Sequence, residues 1–334
     1  MGTSLMNTIS RESLIRWLSG VLEKYQVMAP VIVEGYHLFR PISSPDEIAW
    51  DYYNSVVPPK ELIFPLTESL FTLDYVNGEP RIEEPVIDRE TVIFGLRPCD
   101  ARAIAMLDAS FLSDPVDSPY ARRRALVTLV GWACVHPEAP CFCVNVGGAP
   151  SGTEGLDALL TEGSDGYFVE ALTDKGKSIL TGAELTPTDL KPPTPDALPV
   201  FSTEGITEKL AADFVSPYWQ EQVEACISCK ICTFLCPTCY CFDVRDRKEG
   251  EAVERLRCWD SCQAAHYSRI AGGYNPRATK TARWKQFFYH KFLYYPERFG
   301  GVICCVGCGR CVRKCPVNID IREVIHDLKE GIPA

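Results

Sequence analysis

With 334 residues, 46% of them hydrophobic, the chain is long enough for two domains with sizeable cores. Its net charge of −10 argues against a general nucleic-acid binder. Seventeen cysteines would suggest disulfides in a secreted protein, but the polar start from Met1 to Ile9 lacks a basic stretch followed by an apolar one.

Met6 stands where a myristoylation motif requires Ser or Thr, and no apolar run is long enough to span a membrane. Thiols that must stay reduced, without an export signal, point to the cytoplasm, and of an anaerobe. The first expected element is a helix. Leu14, Ile15, Trp17, Leu18, Val21 and Leu22 fall on one helical face, with Ser10 as its cap. Short apolar runs at Val31–Val33, Thr91–Leu96, Ala125–Val130 and Tyr167–Leu172 read as strands. A helix over Ala101–Phe111 follows the turn Arg97-Pro98-Cys99-Asp100, with Asp100 as its expected N-cap.

Cys99 follows one expected strand, and Cys134, Cys141 and Cys143 follow another. Strand ends are where open α/β sheets place ligand sites, so these four cysteines suit a cubane cluster, with His136 or Asp100 as a substitute for one thiolate. The alternative is a pair of buried structural cysteines. Residues 185–200 carry Pro187, Pro192, Pro193, Pro195 and Pro199, which no helix or central strand tolerates. This stretch reads as a semi-rigid linker or a surface arm. The expected organisation is an α+β or α/β domain over 1–184, the Pro-rich linker over 185–200, and a mainly helical, ferredoxin-like dicluster domain over 201–334.

In that last region Cys226, Cys229, Cys232 and Cys236 stand as C-x2-C-x2-C-x3-C before Pro237, and Cys305, Cys308, Cys311 and Cys315 repeat the run before Pro316. This is the ligand run of a protein with two [4Fe-4S] clusters, in which the fourth cysteine of each run serves the other cluster. Cys226, Cys229, Cys232 and Cys315 are expected to hold the first cluster. Cys305, Cys308, Cys311 and Cys236 are expected to hold the second. Zinc also uses C-x2-C pairs but rarely takes a third cysteine from one run. Cys239, Cys241, Cys258 and Cys262 are candidates for a further metal site, cluster or zinc, against the alternative of packing as small hydrophobes. Cys304 fits no run and reads as a spare thiol.

Residues 267–298 hold seven Lys or Arg and one acid, Glu297, among interleaved aromatics. Such a stretch offsets cluster charge and docks an acidic partner, and less readily binds single-stranded nucleic acid. No G-x-S-x-G, H-E-x-x-H, Walker loop or G-x-G-x-x-G is present, so no catalytic residue and no flavin or nicotinamide site is expected on this chain.

Several segments resemble one family. They are Phe94-Gly-Leu-Arg-Pro-Cys99-Asp-Ala-Arg-Ala-Ile, Cys141-Phe-Cys143, Cys236-Pro-Thr-Cys239-Tyr-Cys241-Phe-Asp, Trp259-Asp-Ser-Cys262, Ala271-Gly-Gly-Tyr-Asn-Pro-Arg277, His290-Lys-Phe292 and Cys305-Val-Gly-Cys308-Gly-Arg-Cys311. The chain is similar to the beta subunits of cytoplasmic sulfhydrogenases and related NAD(P)-linked [NiFe] hydrogenases, a family that includes one of the subunits of anaerobic sulfite reductase. Cys258 departs from the family pattern, where a non-cysteine is usual. The resemblance implies an iron–sulfur relay subunit of a cytoplasmic oxidoreductase complex. Its partners would be a reductase of flavin/NAD(P)H type on one side and a catalytic redox subunit on the other. It leaves open a hydrogenase, or a sulfite or heterodisulfide-type reductase, as the catalytic partner. The reading of another class is a cluster-containing nucleic-acid enzyme.

Overall fold

The computed structural model describes residues 6–212 and 214–330. The first residues of the expected signal-free start therefore lie outside the described residues. Two compact units share the chain: residues 1–63, 88–200 and 306–308 form one, and residues 64–87, 201–305 and 309–334 form the other.

The first unit opens with β1 (Asn7–Ile9) and α1 (Arg11–Leu22). Ser10 caps α1, its Oγ accepting from Ser13 N at 3.1 Å, and Leu14, Trp17, Leu18 and Val21 are buried. The hairpin β2 (Gln26–Val33) and β3 (Tyr36–Ile42) follows. The chain then leaves for β4 (Thr67–Val76) and β5 (Glu79–Glu83), which belong to the second unit. It returns as β6 (Thr91–Leu96), α2 (Pro98–Phe111), α3 (Ser118–Ala125) and β7 (Val127–Trp132). The hairpin β8 (Ala158–Gly163) and β9 (Gly166–Ala171), α4 (Asp174–Ile179) and the short β10 (Thr186–Pro187) complete the unit.

These strands form one sheet in the order β10-β1-β9-β8-β7-β6-β2-β3, with β2, β6, β7 and β8 parallel in its middle and antiparallel pairs outside. Parallel strands covered on both faces carry continuous apolar runs, and Val92, Ile93, Phe94 and Leu96 of β6 are all buried. Helix α2 begins at Pro98 with Arg97 at its N-cap, so Asp100 sits in the first turn rather than capping it. Proline at the first helical position loses no hydrogen bond, and it starts the helix earlier than the Asp100 signal indicated.

The Pro-rich stretch lies along this unit as an arm. Its β10 pairs with β1, Asp196 N donates to the Val135 carbonyl at 2.9 Å, and the Pro199 carbonyl accepts from Asn145 Nδ2 at 2.9 Å.

The second unit contains α5 (Ile206–Ala212), α6 (Tyr218–Gln222), α7 (Ile231–Phe234), β11 (Phe242–Glu249), β12 (Ala252–Trp259), α8 (Lys280–Tyr289), α9 (Tyr295–Arg298), α10 (Arg310–Arg313) and α11 (Ile321–Glu330). Beside these helices stands a four-stranded antiparallel sheet in the order β11-β12-β4-β5. The helices expected after residue 200 are present, and the sheet beside them, two of whose strands precede residue 200, is an addition to that expectation. The sheet escaped notice because its strands are charge-rich. Asp246 stands opposite Arg255 and Arg247 opposite Glu254, and both pairs are bridged, at 2.8 Å and 2.6 Å. Cross-strand ion pairs support a ladder without giving the apolar alternation that marks a strand. Glu68 of β4 faces Arg257 of β12, and this buried pair bonds at 2.6 Å through Nε. The Arg257 guanidinium also lies over the Phe64 and Phe242 rings.

No helix among the described residues is long and apolar enough to cross a membrane.

Candidate metal centres

In the first unit, Cys99 follows β6 and Cys134 follows β7, at the C-terminal ends of neighbouring parallel strands. Cys141 and Cys143 come from the loop beyond. All four line one cavity, together with Tyr53, Gly307 and Cys308. The cavity is held by Arg97. Its Nε donates to the Tyr53 carbonyl at 2.6 Å, its Nη1 to the Trp132 and Ala133 carbonyls at 3.2 and 2.9 Å, and its Nη2 to the Tyr52 carbonyl. One buried guanidinium thus ties two strand ends to the 52–53 segment. Burial pushes the Cys134 thiol up to about 11, with Arg97 opposing the shift. Burial pushes the Cys143 thiol up to about 12, reinforced by Cys141 and Cys134. The Tyr53 hydroxyl bonds Cys141 Sγ, and burial followed by the nearby cysteines drives its pKa far up. Metal ligands bind as thiolates, so a metal here would displace the protons of these thiols. His136 is exposed and bonds Asp196 at 2.8 Å, and neither it nor Asp100 is among the lining residues.

The segment 306–308, part of the second cysteine run, belongs to this same unit. Phe142 N donates to the Gly307 carbonyl at 2.9 Å and Asn54 Nδ2 to the Cys308 carbonyl at 3.2 Å. Gly307 has φ 61°, and a Cβ there would collide with Cys143 N. Glycine is required by both the backbone angle and the approach.

In the second unit, Cys226, Cys229, Cys232 and Cys315 line another cavity. Cys311, on α10, also reaches its wall. The two runs share a backbone pattern. Ser228 and Lys230 in the first run have φ 56° and 67°, and the equivalent Gly307 and Gly309 have φ 61° and 70°. Left-handed residues on both sides of the second cysteine curl each run before its helical turn, α7 or α10, and those two turns pack together. The curl turns amide N–H groups toward sulfur, as in anion-binding nests. Cys226 Sγ accepts from Ser228 N at 3.4 Å and Cys315 Sγ from Ile319 N at 3.2 Å. Cys232 Sγ accepts from Gln263 Nε2 at 3.1 Å, while burial pushes that thiol up to about 12.

Cys236 takes a hydrogen bond from the buried Lys291 Nζ at 3.1 Å, and Cys305 lies near the same ammonium. Cys308 is counted with the first unit, and Cys305 and Cys311 with the second. Of the remaining cysteines, the free thiols Cys241 and Cys262 share a hydrogen bond, and this contact and burial drive the Cys262 thiol far up. Cys258 lies on β12, opposite Asp243 of β11 and Thr67 of β4. Cys239 lies near Lys291, as Cys262 does. Cys304 is fully buried, its thiol directed to the Thr238 carbonyl at 3.7 Å, which gives the spare thiol a packing role. Among the described residues no three His, Cys, Asp or Glu side chains converge tightly enough for a single metal ion. Cys226, Cys229, Cys232, Cys311 and Cys315 stand around one cavity, and Cys99, Cys134, Cys141, Cys143 and Cys308 around another. Four thiols around a space, with donors to sulfur, fit a cubane.

The basic-aromatic stretch is exposed at its two ends, around residues 269–274 and at Arg298, and its later aromatics turn inward. Trp284, Phe287, Phe288, Tyr289 and Phe292 are buried. Arg283 donates to the Gln263, Arg277 and Ala278 carbonyls, and Lys285 to the Phe214 carbonyl at 2.7 Å. From sequence, Arg97 has no role of its own, and Lys291 has only the general role of its basic stretch, to offset cluster charge. Adjacency to Cys99 was a usable signal for Arg97. Nothing in the local sequence marked Lys291 as buried.

Residues 225–319 match the 4Fe-4S dicluster domain family. The chain is 32% identical over 321 residues to Sulfhydrogenase 2 subunit beta of Pyrococcus furiosus, covering 92% of this chain and 93% of that one. No solved structure matches.

Proposed function

This chain belongs to the family of sulfhydrogenase beta subunits, and from that premise we propose that it is the iron–sulfur electron-transfer subunit of a hydrogenase-type complex. The observation that carries the reading is the cavity in the second unit. Cys226, Cys229 and Cys232 from one run and Cys315 from the other line it together, which is the exchange of fourth ligands that a dicluster domain requires. The first cluster takes these four residues, and the second takes Cys305, Cys308, Cys311 and Cys236. A third takes Cys99, Cys134, Cys141 and Cys143, supported by their shared cavity at the strand ends. When bound, [4Fe-4S] clusters accept and release electrons one at a time.

The chain's own residues bind, orient and insulate. Arg97 fixes the strand ends that carry Cys99 and Cys134. Gln263 and the amides of Ser228 and Ile319 donate to ligand sulfurs, which favours thiolate over thiol. Trp284, Phe287 and Phe288 line one wall of the Cys226 cavity and keep water from it. The relay joins a flavin subunit that meets NAD(P)H to a [NiFe] catalytic subunit, and the complex works in the cytoplasm.

The test is the isolated chain, purified anaerobically. It is expected to bleach on chemical reduction, to be reoxidised by dyes, and to leave NAD(P)H untouched until a flavin partner is added. NAD(P)H oxidation by the chain alone overturns the relay reading.

A further inference from the structure

Resting on the assignment of Cys236 as a ligand, we propose that Lys291 is a fixed cation that raises the reduction potential of the cluster Cys236 helps to hold. Lys291 lies at helical spacing from Trp284, Phe287 and Phe288, on the apolar face of the helix, in a π-helical turn over His290–Tyr294. That is a core position, and the side chain is 2% exposed. An ammonium has three hydrogens and no acceptor. All three are met: by Cys236 Sγ at 3.1 Å, by Thr238 Oγ1 at 2.8 Å and by the Cys304 carbonyl at 3.2 Å.

Two of these partners are neutral. Burial works against the charge, and the groups that work for it are the sulfurs of Cys236, Cys239, Cys304 and Cys305. None of its three hydrogen-bond partners is a carboxylate. A buried ammonium is costly without a compensating negative charge, and the ionisable group it touches is the Cys236 sulfur. A cluster thiolate supplies that charge. Thr238 holds the geometry, since its hydroxyl also donates to the Cys304 carbonyl at 2.8 Å and contacts Cys236 Sγ at 3.2 Å.

Reduction adds one electron to the cluster and changes no bond at Lys291. The reduced form carries one more negative charge, so the nearby ammonium stabilises it more than the oxidised form. Lys291 is a positioning and charge-setting residue and not a ligand.

The experiment compares the full chain, reconstituted anaerobically, with its Lys291→Met and Lys291→Arg variants by EPR-monitored redox titration against dithionite. Lys291→Met is expected to keep full iron and sulfide while one midpoint moves to lower potential and the others stay. Lys291→Arg is expected to restore much of the shift, because it keeps the charge. Unmoved midpoints at full cluster content overturn the proposal and leave the cluster reading intact. A wild-type chain without iron and sulfide overturns the cluster reading, and this proposal with it. Where Lys291→Met loses a cluster, wild-type protein labelled with 15N-lysine decides the matter. Pulsed EPR is expected to show a lysine nitrogen coupled to a reduced cluster, and its absence overturns the proposal.

Discussion

At the scale of single residues, the ligand assignments separate cleanly by mutation. Cys229→Ser is expected to remove about four irons per chain, one cubane's worth, and to destabilise its whole unit, because cluster binding and folding are coupled in such domains. Iron and sulfide analysis with a thermal melt checks this, and a variant with unchanged iron removes Cys229 from the ligand set. Gly307→Ala acts on the other cavity. Its Cβ would run into Cys143 N in a backbone with φ 61°. The combined clash and left-handed strain are expected to cost about 2–4 kcal/mol. They should lower iron bound through Cys99, Cys134, Cys141 and Cys143. The readout is iron content in Gly307→Ala set beside that in Cys99→Ser. Equal, full iron in both would leave those cysteines as structural. Legibility at this scale was uneven. The cysteine runs announce themselves by spacing. Lys291 does not, because a lysine between His290 and Phe292 reads as one more surface cation until packing shows it inside.

At the scale of elements, the parallel core was readable and the charged hairpin was not. Strand β6 was located at its own boundaries, since a fully buried strand is an unbroken apolar run. Strands β11 and β12 alternate acids and bases that bridge across the ladder, so apolar periodicity is silent there. The buried Arg257–Glu68 pair fastens that hairpin to β4. Arg257→Met is expected to destabilise the second unit by about 3–5 kcal/mol, because it leaves the Glu68 carboxylate buried without its partner. Denaturant unfolding reads the loss. The double variant Arg257→Met, Glu68→Leu should recover most of it. A single variant as stable as wild type would show the pair to be dispensable.

At the scale of the whole molecule, the chain does not divide in sequence as it divides in space. Proline content marks residues 185–200 as a separate segment, and that segment is counted with the first unit. The return of 64–87 to the second unit and of 306–308 to the first was not legible, because both depend on pairings distant in sequence. A fragment beginning at residue 201 lacks β4 and β5 and leaves the inner edge of β12 unpaired, which invites aggregation. It is expected to be poorly soluble, whereas 201–334 co-expressed with 1–200 should recover folded, iron-containing protein. Size-exclusion chromatography with iron analysis decides between them, and a monodisperse, cluster-loaded 201–334 fragment would make the hairpin superfluous.

The placement of Gly307 and Cys308 also orders events in time. They follow Cys143 only after the whole first sheet and most of the second unit, yet they wall the cavity of Cys99, Cys134, Cys141 and Cys143. A ribosome that has made the entire parallel sheet has still not made that wall. Iron delivered to a nascent or prematurely ended chain therefore meets an open pocket. Only synthesis past residue 308 closes it, so retention of metal at Cys99, Cys134, Cys141 and Cys143 reports that translation has passed that point.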